Sequence, residues 1–171
     1  MVFEVKGDNT IVSFKPQGGT DYVSITVIGT PIAKASLKTY FNRIANKLIH
    51  YQPSQPEIQE FRKVVAEDLK EYLGNDSVLF ESGVHLKVRI RFYFPRKKSH
   101  YKSVELKGGV LNENAPKYPT KPDLDNLLKF SLDSFNGVLY KDDCQVTKLT
   151  TFKTYIHHKK QGYTTLEAAR I

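Results

Sequence analysis

Residues 84–94 alternate without a break: Val84, Leu86, Val88, Ile90, Phe92 and Phe94 fall on one side, and His85, Lys87, Arg89, Arg91 and Tyr93 on the other. A period of two over that length describes a strand with one buried face, because successive side chains of a pleated backbone point in opposite directions. The chain must therefore build a sheet that hides the apolar set and leaves a ladder of cations on the other face. A second pattern has the helical period. Ile58, Phe61, Val65, Leu69 and Tyr72 follow Ser54-Gln55-Pro56-Glu57, which has the form of a capping box, and predict a core-packing helix that stops near Gly74.

Other elements are read in outline. Residues 22–28, 145–156 and 163–168 are strand candidates, and residues 1–20 form an amino-terminal hairpin or extension. Residues 33–50 fit a short helix or a basic loop. Residues 96–120 hold Gly108-Gly109, Pro116 and Pro119 and read as a long loop, of the kind that carries function in compact domains. At 171 residues one domain is expected. No apolar run approaches the roughly 20 residues needed to cross a bilayer. The first residues lack the layout of a secretory signal, and the single Cys144 excludes a disulfide framework. A cytoplasmic location without membrane association is the expectation.

The cations of the ladder belong to a larger asymmetry. The chain carries 26 Lys and Arg against 18 Asp and Glu, a formal charge of +8. Ten of the basic residues but two of the acidic ones lie between residues 84 and 121, which leaves sixteen of each sign elsewhere. Localised positive charge draws in polyanions, although a solvated basic surface is the plainer reading of such a cluster alone. Lys87, Arg89, Arg91, Arg96, Lys97, Lys98 and Lys121 are the candidate DNA contacts, with Lys34, Lys38 and Arg43 as a possible extension.

Directly downstream, the run KPDLDNLLKFSLDSFNGVLYKDDCQV (residues 121–146) places carboxylates around one predicted helix. Asp123 and Asp125 stand at its entrance, Lys129 follows Asp125 by one turn on the same face, and Asp142 and Asp143 arrive past the stop at Asn136-Gly137. Carboxylates gathered from two places in a basic chain suit a hard divalent cation held against a phosphodiester, since Mg²⁺ takes one or two carboxylates plus water and phosphate oxygens. An ammonium at Lys129 would stabilise charge developing on the phosphoryl group. Each residue also has a plainer role. Asp123 can be an N-cap, Asp125 a favourable first-turn charge, Lys129 a partner of Asp125 or Asp133, and Asp142 and Asp143 turn residues. Chemistry alone leaves the two readings level.

The string D-L-D-N-L-x-K, followed by D-D-x-Q-V, resembles the RusA family of Holliday junction resolvases of bacteria and their prophages. The resemblance is close over residues 121–146 and holds in outline for the basic strand and a closing strand. Residues 1–20 and the loop 96–120 have no counterpart in it. It implies an α+β subunit, here a mixed β-sheet with helices packed on one face, formed by a nuclease domain over residues 21–171. It also implies a homodimer that nicks opposing strands of a four-way DNA junction, leaving religatable 5′-phosphates and 3′-hydroxyls, in recombination and repair. By the same resemblance Asp123, Asp125 and Asp143 are the catalytic set that holds Mg²⁺ (or Mn²⁺), and Lys129 is also needed for cleavage. Asn126 and Gln145 fall on motif positions without a defined role. Two alternatives share these residues: a non-catalytic branched-DNA-binding protein, and a metal-dependent flap or fork nuclease. His157-His158 lacks the further ligands of a zinc site and is read as a phosphate-contacting or solvated tip. Cys144 is expected to pack beneath the site.

Overall fold

The computed structural model describes residues 3–6, 10–14, 22–73, 78–102, 110–157 and 161–171. Its central feature is a six-stranded mixed sheet in the order β1-β2-β3-β8-β6-β7, with two helices on one face. The strands are β1 (Phe3–Lys6), β2 (Thr10–Phe14), β3 (Tyr22–Ile28), β6 (Leu86–Pro95), β7 (Val146–Ile156) and β8 (Tyr163–Arg170). All neighbours pair antiparallel except β6 and β7, which are parallel. Parallel neighbours need a crossover, and the helix α2 (Leu124–Phe135) lies within it, which makes β6-α2-β7 a βαβ unit.

The alternation of residues 84–94 is realised in β6. Leu86, Val88, Ile90 and Phe92 are sealed from solvent, while their neighbours Lys87, Arg89, Arg91 and Tyr93 lie on the open face. Val23 and Ile25 of β3 and Leu166 and Ala168 of β8 join the same core. The helix α1 (Gln55–Leu73) covers it with Val65 and Leu69, and α2 with Leu127 and Phe135. Phe61 of α1 meets Phe130 and Phe135 of α2 edge-to-face, with ring centroids 5.8 and 5.5 Å apart, a geometry that aligns a positive ring edge with a negative face. Ser131 and Ser134, buried in α2, each donate to the carbonyl four residues back, which satisfies these two hydroxyls.

Residues 1–20 contribute β1 and β2, which pair with each other and extend the sheet through β3; Gly18-Gly19 lies outside the described residues. The segment read as a short helix or basic loop is neither. It is a separate two-stranded ribbon, β4 (Lys38–Asn42) and β5 (Lys47–Tyr51). The reason lies in its turn: Ala45 N–H donates to the Asn42 side chain at 2.9 Å, and Asn46 takes the left-handed conformation with φ of 48°. Ser54 precedes α1 as expected, and its hydroxyl accepts from Ala35 N–H at 2.6 Å, which ties the base of the ribbon to the helix entrance. The long loop carries a short 3-10 turn (Lys98–His100) and an isolated bridge between Tyr101 and Leu111.

Phe135 joins both helices and the sheet core while fully shielded from solvent. Phe135→Ala is expected to cost about 3–5 kcal/mol. Urea unfolding followed by circular dichroism would show this as a lowered midpoint at an unchanged slope.

Candidate functional site

The motif lies on the crossover helix because two local devices fix its ends. At the entrance, Lys153 of β7 donates to the carbonyls of Thr120 and Pro122 at 2.9 and 2.5 Å and holds the segment that precedes α2, in which the Lys121–Pro122 peptide is cis. Asp123 is the N-cap residue by position, yet its side chain makes no capping bond and lies 3.3 Å from Lys121 Nζ. Asp125, in the first turn, receives Lys129 Nζ on Oδ2 at 3.1 Å. This hydrogen bond holds the Asp125 carboxyl below its ordinary value, reinforced by the charge on Lys129. Both partners are more than half exposed, so the pair adds little to stability and stays open to a ligand.

Beyond the exit of α2 the D-D-x-Q string folds into a 3-10 turn (Asp143–Gln145) whose scaffold is Gln145. Its buried side chain accepts from the backbone N–H groups of Lys141 and Asp142 and donates to the carbonyls of Glu81 and Val84. Asp142 caps the turn by accepting from Cys144 N–H at 2.9 Å, which lowers its pKa. Asp143 is left as the partly buried carboxylate of this corner. Burial raises its pKa, and the nearby charges of Asp142 and Asp133 add to the rise. Cys144 is exposed rather than packed beneath the site, because the turn sends Gln145 inward in its place.

The acidic residues thus form two groups at opposite ends of α2. Asp123 and Asp125 stand at the entrance with Lys121 and Lys129. Asp143 feels Asp133, which sits near the last turn and pairs with Lys34. From Asp125 to Asp133 the helix rises about 12 Å. Among the described residues no three His, Cys, Asp or Glu side chains come together to hold a metal ion. The donor chemistry suits a hard divalent cation, but within one chain Asp123, Asp125 and Asp143 do not converge on one.

The basic candidates also divide. Arg89 and Arg91 both pair with Glu167 of β8, at 3.0 and 2.8 Å, and Arg91 lies over the Phe152 ring. They alternate with core residues that face α2, so the ladder points away from that helix. Glu167 was not singled out from the sequence because it lies 78 and 76 residues from its partners. Arg96 donates to Pro116 O at 3.0 Å and stacks on Tyr155, which braces the loop. Lys34, a possible DNA contact by sequence, is held by Asp133. Lys87, Lys97 and Lys98 are exposed and enter no ion pair among the described residues. Lys97 and Lys98 follow the end of β6, which aligns with the Ile156 end of β7, the half of that strand from which Lys153 holds the entrance of α2. Lys148, exposed beside Lys87 on the neighbouring strand, extends the positive face and was missed because strand register is not local information. His157 is exposed; His158 lies outside the described residues.

Comparison with known proteins gives the chain a family. The chain is 28% identical over 137 residues to the uncharacterized protein YqaN of Bacillus subtilis (strain 168), a span covering 79% of this chain and 89% of that protein. A family model described as Endodeoxyribonuclease RusA matches residues 29–161, which take in the ribbon, both helices, β6, β7 and all the motif carboxylates. The chain belongs to the RusA endodeoxyribonuclease family.

Proposed function

We propose that the chain is a divalent-metal-dependent endonuclease that resolves four-way DNA junctions by paired symmetric nicks. The observation that carries this reading is the motif on α2: an exposed Asp125–Lys129 pair at one end and the partly buried Asp143 at the other, inside a RusA-family match. Cytoplasmic action in recombination and repair, and an origin in a prophage, belong to the same proposal.

The working unit is proposed to be a homodimer, because the carboxylates are too far apart in one chain. A second copy can set the exit of one α2 beside the entrance of the other. The sheet ends in β7, whose outer edge pairs with no further strand among the described residues and which carries exposed Leu149 and Phe152, the kind of edge a partner strand extends. Asp123 and Asp125 of one chain with Asp143 of the second would then hold Mg²⁺ or Mn²⁺. When bound, the ion would polarise a phosphoryl oxygen and lower the pKa of a coordinated water.

The chain's own residues do the rest. Lys129 keeps Asp125 ionised and, being exposed, can turn its ammonium to a phosphate oxygen. Lys97, Lys98 and Lys121 supply backbone contacts at the same end of the sheet as the entrance pair. Arg89 and Arg91 are assigned to the fold, since both are tied to Glu167.

Incubation of the purified chain with labelled four-way junctions and linear duplex tests the reading. Symmetric, divalent-dependent nicks that a ligase reseals are expected, and Asp125→Asn should abolish them while junction binding persists. Absence of metal-dependent cleavage on every branched substrate would sink the nuclease; cutting confined to flaps or forks would reassign its substrate.

Lys97→Ala with Lys98→Ala is expected to weaken junction binding and flatten the slope of log K against log salt by about 2 units. An unchanged slope would place the phosphate contacts elsewhere.

Asp143→Asn should abolish cleavage and raise the melting temperature at neutral pH. The folded chain raises the pKa of this carboxyl, so the native state bears an unfavourable charge above that value. The gain should shrink as pH falls through the raised folded value and vanish below the unfolded one, where Asp143 is neutral in both states. A scan of melting temperature against pH for both proteins checks the sign.

A further inference from the structure

The β4–β5 ribbon is the part of the molecule that the catalytic reading does not use, and its surface is unusual. Among the described residues, seven of the twelve exposed large hydrophobic side chains lie between residues 32 and 51. Tyr40, Phe41, Leu48 and Tyr51 line the ribbon, and Ile44, at the apex of its turn, is 100% exposed. A two-stranded hairpin with both faces in water is marginal by itself, and a clustered exposed apolar surface marks a contact site.

The charge of the ribbon identifies the partner class. Residues 22–56 contain no Asp or Glu, while Lys38, Arg43 and Lys47 flank the aromatic and apolar positions. Two such ribbons would repel one another, which disfavours self-pairing. A polyanion with flat apolar faces satisfies both features, and DNA is that ligand. The apex suits one use in particular. Ile44 has no polar atom with which to read a base edge, and the Asn42 bond and left-handed Asn46 hold it out on a defined turn. An apolar side chain presented in this way enters between base steps, and neighbouring aromatic rings receive unstacked bases.

Position completes the case. The ribbon is rooted beside the motif: Lys34 N–H donates to the carbonyl of Asn126, the residue after Asp125, at 2.9 Å. Five-residue strands carry the apex roughly 17 Å beyond the base of the ribbon at Lys38 and Tyr51. The ribbon is thus an arm that projects from beside the candidate cutting residues.

Resting on the reading that this chain acts on branched DNA, we infer that the β4–β5 ribbon is a branch-point wedge. Ile44 enters the opening, Tyr40 and Phe41 receive displaced bases, and Lys38, Arg43 and Lys47 hold the flanking phosphates.

The test uses a four-way junction with 2-aminopurine at the branch point, in EDTA so that no cutting intervenes. Binding is followed by anisotropy of a remote dye. The wild-type chain should raise the 2-aminopurine fluorescence as it binds. Ile44→Ser should cut that rise by about threefold or more while the dissociation constant stays within about threefold, since the wedge opens bases and the cations supply affinity. Lys38→Ala, Arg43→Ala and Lys47→Ala combined should instead weaken binding and lower the salt slope by roughly 2–3 units. The inference is overturned if Ile44→Ser opens the branch point as well as wild type does. It is also overturned if the ribbon variants alter only the mass of the chain in sedimentation, which would make the ribbon a self-association arm. If the wild-type chain neither binds junctions in EDTA nor cuts them in a parallel reaction with Mg²⁺, the nuclease reading has failed; if it binds in EDTA and cuts with Mg²⁺ but gives no fluorescence change, the wedge alone has failed.

Discussion

Parallel pairing of β6 with β7 is the constraint on which the rest of the structure hangs. Two neighbouring strands that run the same way force the intervening chain to leave one end of the sheet and return at the other. Here that return includes a helix of 12 residues, about 18 Å long, with an acidic residue at each end of its path. Lys153 secures the entrance from the edge strand, and Gln145 secures the corner past the exit by four hydrogen bonds to backbone. The crossover therefore both presents the carboxylates and keeps them apart.

Legibility from sequence followed the range of the interactions. The alternation of β6 and the helical spacing of α1 and α2 are local patterns, and the structure repeats them within a residue or two at most boundaries. The ribbon was not legible, because its strands take their form from a turn built on Asn42 and Asn46 and not from an apolar stripe. The fate of the arginine ladder was also hidden. Glu167 faces Arg89 and Arg91 only because β8 lies beside β6, a fact of topology that no spacing reveals. The same limit applies to the carboxylates: their identities are visible in the motif, while their separation depends on the course of the helix.

Net charge is a poor guide to where a polyanion would sit on this fold. The segment that holds the whole excess of +8 by sequence loses Arg89 and Arg91 to Glu167 and Arg96 to loop bracing. Among the described residues of this segment, Lys97 and Lys98 past the end of β6, Lys87 near its start and Lys117 in the loop are exposed outside any ion pair, with Lys148 of β7 beside Lys87. The ribbon, which is balanced by no acid of its own, becomes the more coherent positive element.

The two ends of the motif also differ in electrostatic character, and that difference bears on their roles. Asp125 is exposed and has its carboxyl driven down by the hydrogen bond from Lys129. Asp143 is partly buried among other carboxylates and is driven up. Removing water from a charge without giving it a partner is unfavourable for the isolated chain, and a fold keeps such an arrangement where a cation relieves it. Among the described residues Asp143 enters no ion pair, whereas Asp125 offers exposed oxygens with a lysine beside them. Glu167 shows the opposite arrangement, a partly buried carboxylate held by two cationic partners.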